Sequence, residues 1–178
     1  MSNIEHEAKI LEVNVDVVRK KLEGLGAKKV GDYTFRRYVF DTIPATENRW
    51  VRLRSNGEET TLTVKEIDTN AIDGTSEWEI TVSDIDKTLV ILEKIGISPR
   101  GYQENLREEY ELSGAQVAID TWPKLDPYVE IEAESVEGVI RIAGLLGYGE
   151  EDLTAENTSD LYKAIGIDLK KTDMVTFG

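Results

Sequence analysis

The chain has 178 residues, 40% hydrophobic and 31% charged, with a formal net charge of −14, the balance of a soluble globular protein. That acidity argues against a general nucleic-acid binder, whose affinity comes from lysines and arginines set against phosphates, and no apolar run nears the roughly 20 residues of a membrane span. There is no cysteine and His6 is the single histidine, so a metal site has to be built from carboxylates, which suits a hard cation such as Mg²⁺, Mn²⁺ or Ca²⁺.

The segment from Ile4 to Val13 alternates charge with hydrophobe as a strand does. Asn14 caps a predicted helix on which Val15, Val18, Leu22 and Leu25 share a face, stopped by Gly24 and Gly26. A long strand is expected over Lys28 to Asp41, rich in Tyr and Phe, then strands at Arg49 to Ser55 and Thr60 to Ile67 joined through Asn56-Gly57, a hairpin signal. A loop with Asp73-Gly74 precedes a strand at Ser76 to Val82 and a helix capped by Ser83 that ends at Gly96.

Strands follow at Gly101 to Leu112 and Gln116 to Thr121, around a turn at Ser113-Gly114, and at Tyr128 to Ala133. A helix capped by Ser135 runs to Gly147, and a short helix at Ser159 to Ala164 precedes a tail. The expectation is an α+β fold, an eight-stranded antiparallel β-barrel with helices packed outside, in one domain over residues 1–178. The N-terminus lacks a basic, apolar leader, which points to the cytoplasm.

Residues two apart on a strand share a face. Glu5, Glu7 and Lys9 therefore project together, as do Arg52 with Arg54, Glu77 with Glu79, and Glu130 with Glu132, while Lys65 opposes Leu62 and Val64. His6 falls on the face opposite Glu5 and Glu7 and is expected to pack beneath a helix. A wet outer face would show the same alternation. Strands of both signs alternate, however, and a barrel closed with these faces inward has a charged lumen.

Glu5-x-Glu7-x-Lys9, Arg52-x-Arg54, Lys65, Glu77-x-Glu79, Arg107, Asp120 and Glu130-Ile131-Glu132, in this order, resemble the CYTH superfamily. Its members include class IV adenylyl cyclases, thiamine triphosphatases and inorganic triphosphatases. The resemblance implies a tunnel that binds a small-molecule triphosphate with Mg²⁺ or Mn²⁺. It assigns Lys9, Arg52, Arg54, Lys65 and Arg107 to the phosphates, with Lys65 and Lys9 as catalytic residues. Glu5, Glu7, Asp120, Glu130 and Glu132 would hold metal, and Glu77 and Glu79 would support the bases.

Seven acids against five bases leave this lumen about two negative charges in excess, which divalent ions would offset before the anion arrives. Asn105 stands where many relatives carry a lysine two residues before the arginine matched by Arg107, and Leu125-Asp126-Pro127-Tyr128 replaces a frequent Leu-Gly turn. A phosphohydrolase is the first expectation, because it needs no base recognition. A class IV adenylyl cyclase and a non-catalytic polyphosphate- or nucleotide-binding module are the alternatives. Lys65 and Tyr38 are candidate helpers for activating the nucleophile, Tyr38 being more simply a core aromatic, and the protein is expected to act as a monomer or homodimer, without nucleic acid or membrane.

Overall fold

The computed structural model describes residues 3–178. Its strands are β1 (Asn3–Ile10), β2 (Lys28–Asp41), β3 (Arg49–Ser55), β4 (Thr60–Ile67), β5 (Thr75–Thr81), β6 (Gly101–Leu112), β7 (Ala115–Thr121), β8 (Tyr128–Ala133), β9 (Leu153–Thr154) and β10 (Met174–Val175). Its helices are α1 (Val15–Gly24), α2 (Ile85–Lys94), α3 (Val136–Leu145) and α4 (Thr158–Ala164). None is long and apolar enough to cross a membrane.

Neighbouring strands run β6-β2-β3-β4-β5-β1-β8-β7, and β7 pairs again with β6, so eight antiparallel strands close a barrel. Closure removes the exposed edges that an open sheet would leave. The expected fold is the one found, with two short strands added. β9 pairs with Lys9 and Ile10 of β1, and β10 lies parallel to β6.

Turn chemistry sets the hairpins. Ser113 and Gly114 take φ of 52° and 83°, the double positive φ of a tight hairpin whose twist matches its strands. β1 ends at Ile10, earlier than Val13, because Glu12 adopts φ 54° and breaks the extended run. Helix α2 is capped by Asp84, not Ser83: the helix starts at Ile85, and the Asp84 carboxylate accepts the Lys87 N–H at 2.9 Å.

The outward faces form the core. Ala8 and Ile10 of β1, Val117 and Ile119 of β7, and Val129 and Ile131 of β8 lie under Val18 and Leu22 of α1 and Val139, Ile142 and Leu146 of α3 and its cap. Helix α2 covers Phe40 and Leu53 with Ile85 and Leu92. Tyr38 faces this second cluster, its ring 5.3 Å from that of Tyr102, which settles it as an outer packing residue. His6 is half-buried on the same outward side as Ala8.

The segment after α3 is not a free tail. Leu161 and Tyr162 of α4, with Leu169 and Val175, pack against Trp122 and Tyr128 at one end of the barrel, where the Tyr162 hydroxyl donates to the Pro123 carbonyl at 2.6 Å.

Ile142 is fully buried between α3 and the barrel wall. Ile142→Ala should therefore lower unfolding stability by about 2–5 kcal/mol, as truncation of a buried branched chain does. The check is a fall in the urea midpoint with the slope unchanged.

Candidate functional site

The inward faces enclose a cavity of about 890 Å³. All twelve charged residues singled out in the sequence line it: Glu5, Glu7, Lys9, Arg52, Arg54, Lys65, Glu77, Glu79, Arg107, Asp120, Glu130 and Glu132. Strand register explains how. Glu7 lies opposite Glu132 and Lys9 opposite Glu130 across β1 and β8; Arg52 pairs with Thr63, and Lys65 with Glu77. Each strand thus sends alternate residues to one interior.

Opposite charges meet there at short range. Lys65 Nζ donates to both Glu5 oxygens, at 3.0 and 2.8 Å, and lies 2.8 Å from Glu77 Oε2. Arg52 Nη2 is 3.4 Å from both Glu77 and Glu79, and Glu79 accepts the Thr63 hydroxyl at 2.5 Å. Lys9 Nζ sits 3.3 Å from Glu7 and from Glu130. Arg107 donates through Nε (2.9 Å) and Nη2 (2.5 Å) to Asp120, and through Nη2 to Glu130 at 2.7 Å.

These pairs decide the charge states. Burial works against the Lys9 ammonium, but Glu7 and Glu130 overcome it and raise its pKa; burial opposes Lys65 likewise, and Glu7, Glu5 and Glu77 overcome it. Both lysines remain cations and neither is a base. Burial would raise Glu130, yet Lys9 and Arg107 hold it below the usual carboxylate range.

The acids near β1 behave otherwise. Burial and a proton shared with Glu77 push the Glu5 carboxyl up to about 9 against the pull of Lys65, while Glu77 is held at about 2 despite its own burial, by that same hydrogen bond and by Lys65 and Arg52. Enclosure by the barrel, then Glu130 and Glu7, raise Glu132. Like charges directly opposite across a strand pair repel, as Glu7 and Glu132 do, so the carboxyls of β1 and β8 crowd one wall of the cavity. All-oxygen donors of this kind fit a hard divalent cation. Among the described residues no three acidic side chains already converge on one ion position.

The opposite wall is basic. Arg54 forms no ion pair among the described residues; its guanidinium lies 4.8 Å from the Phe35 ring centre. Burial, then Arg52 and Arg107, lower its pKa to about 10. A guanidinium does not give up its proton at ordinary pH, so the shift reports how strongly this wall favours an incoming negative charge.

The sequence reading missed Arg37, Phe35, Gln103 and Trp122, which line the cavity, and Thr63, which buttresses Glu79 and Arg52. For Arg37 the signal was the period of two through Phe35, Arg37 and Val39, masked because Arg36 stands beside it and faces out. With Arg37 counted, the charged set is seven acids against six bases.

A family model described as CYTH domain matches residues 3–156. Among solved structures, the PH1012 protein from Pyrococcus horikoshii OT3 is 25% identical, with a TM-score of 0.76 over 89% of this chain and 99% of that one. A Vibrio parahaemolyticus protein with an adenylate cyclase name has 13% identity and a TM-score of 0.77, covering 92% and 99%. HpAC1 from Hippeastrum, an adenylyl cyclase by name with a dominant triphosphatase activity, has 16% identity and a TM-score of 0.57, covering 95% and 99%. No curated protein matches the chain.

A carboxyl that holds its proton more tightly folded than unfolded contributes stability below the ordinary carboxylate range, and that contribution is lost as pH climbs toward its folded pKa, here about 9. Glu77, held at about 2, acts oppositely and only in acid, its contribution being lost as pH falls. In buffer with EDTA, melting temperature should therefore decline from pH 6 to 9, and Glu5→Gln should flatten that decline. A wild-type melting temperature that is constant over this interval would refute the shared proton.

Proposed function

The chain belongs to the CYTH domain family, and from that membership together with the two-signed lumen we propose that it is a divalent-metal-dependent enzyme acting on a triphosphate, with hydrolysis as its reaction. The observation that carries the reading is one enclosed cavity lined by both signs, in which carboxyls and guanidiniums are left over after the ion pairs are made. Carboxyls crowd β1 and β8, while Arg54, without an acid partner among the described residues, faces the same lumen from β3.

The division of labour follows from the partners. Glu5, Glu7 and Glu132 hold Mg²⁺ or Mn²⁺, because they are the carboxyls whose crowding a cation relieves. Asp120 and Glu130, which pair with Arg107 and Lys9, would aim those bases as well as lie beside the ion. When bound, the ion supplies positive charge to the phosphate oxygens.

Arg52, Arg54 and Arg107 present planar forks to phosphate oxygens. Lys9 and Lys65 add point charges that strengthen as negative charge builds on the transferred phosphoryl group. Phosphoryl transfer through a loose transition state asks for positioning and charge more than for a strong base, which suits a lumen whose two lysines stay protonated. Glu77 and Glu79 keep Arg52 extended across the cavity between them.

Incubation with tripolyphosphate or ATP and Mg²⁺ or Mn²⁺ should release inorganic phosphate, and EDTA should abolish the release. Arg54→Ala should lower kcat/KM by about 1.5–3 kcal/mol, roughly tenfold to a hundredfold, as loss of a charge-assisted hydrogen bond does. Cyclic AMP as the main product from ATP would overturn hydrolysis in favour of cyclisation. Binding without turnover under either metal would leave a binding module.

A further inference from the structure

Arg37 is a buried cation with no counter-charge of its own. It enters the lumen from β2, is 8% exposed, and among the described residues pairs with no carboxylate. Nη2 donates to the Asn105 side-chain oxygen, whereas Nε is buried without a hydrogen-bond partner. The guanidinium lies 4.5 Å from the Trp122 ring centre and 6.0 Å from that of Phe35.

Its charged neighbours do not compensate it. Burial and then Arg52, Arg54 and Arg107 disfavour its charge, and Asp120 favours it. Asp120, however, already accepts two hydrogen bonds from Arg107 and one from Asn105 Nδ2 at 3.0 Å. For folding alone, a neutral side chain at 37 would cost less than an unpaired guanidinium in such a place. The charge must be there for something that arrives later.

Asn105 explains how it is held. The amide accepts from Arg37 at one end and donates to Asp120 at the other, joining the cation to the Arg107–Asp120–Glu130 network with a neutral link. A lysine at 105 would place another positive charge against Arg37 and break that link. The two positions therefore work as a unit, with the cation carried on β2 and the neutral connector on β6.

We infer that Arg37 is a phosphate-binding residue of the tunnel, aimed by Asn105 at the end of the cavity beside Trp122, where it supplies the charge that position 105 lacks. This rests on the triphosphate reading and adds to it a sixth base and a direction: the phosphate chain extends toward Trp122. A planar fork there favours a chain with at least two non-bridging oxygens to offer at that end.

Titration calorimetry with tripolyphosphate, with and without Mg²⁺, tests it on the full chain. Arg37→Gln should weaken binding at least tenfold while melting no lower than wild type, since it removes a repelled charge. Arg36→Gln, which makes the same charge change on the exposed outer face, should bind within twofold of wild type. Arg37→Gln combined with Asn105→Lys should regain most of the lost affinity, because the charge returns to the same corner from β6.

Arg37→Gln binding as tightly as wild type would overturn the inference and leave the triphosphate reading standing. A double variant as weak as Arg37→Gln would also overturn it, by showing that charge at this corner is not what Arg37 contributes. A wild type that binds no tripolyphosphate under either condition would sink the triphosphate reading and this inference together.

Discussion

Everything in this molecule is conditioned by the need to compensate charge inside a closed barrel. Eight antiparallel strands close on themselves, and their alternation sends one residue in two to the interior whatever its polarity. Here that interior receives seven acids and six bases from the charged set, which cannot all be left bare in an enclosed space. The structure answers with ion pairs where signs match in register, as at Lys9 with Glu130 and Arg107 with Asp120. Where they do not, carboxyls hold on to protons and guanidiniums go without partners. Those mismatches, not the pairs, are the part of the lumen that a ligand and a cation would satisfy.

The fold was readable in the sequence because two signals agreed at every step. Apolar period two on one face, capped helices with a single apolar stripe, and turns at Asn56-Gly57 and Ser113-Gly114 each specify local geometry, and together they leave few topologies for eight strands. The clustering of Glu5, Glu7, Lys9, Arg52, Arg54 and Lys65 was readable for the same reason: adjacent apolar residues such as Ala8, Leu53 and Val64 fix which way each charge points. What could not be read was register. That Glu7 faces Glu132 follows from a pairing between segments far apart in the chain, whereas Arg107 meets Asp120 within the hairpin that turns at Ser113-Gly114.

The misses have particular physical causes. Phe35-Arg36-Arg37-Tyr38 carries aromatic and cationic residues on both faces, so its alternation is invisible until the partner strands show that Arg37 faces Gln103 and Arg36 faces out. Ser83 and Asp84 are both good caps, and the choice fell to Asp84 because the first turn begins one residue later than the sequence suggested. The two-residue strands β9 and β10 have too few residues for any period to register; they exist because β1 and β6 offer unpaired backbone beside them.

The C-terminal segment gives the tunnel a direction. Residues after 156 lie beyond the match to the family model, yet Leu161 and Tyr162 wedge against Trp122 and Tyr128 at one end of the barrel, and Trp122 in turn carries the Arg37 guanidinium on its face. The Trp122 and Tyr162 rings meet edge-on at 6.2 Å, an arrangement that orients both. The acid-rich wall, by contrast, is most open at Glu132 and Glu79. Lys9, Arg37 and Arg52 are buried while Glu132 and Glu79 are exposed, so the deep cations can be neutralised further only by a partner that reaches them through the lumen.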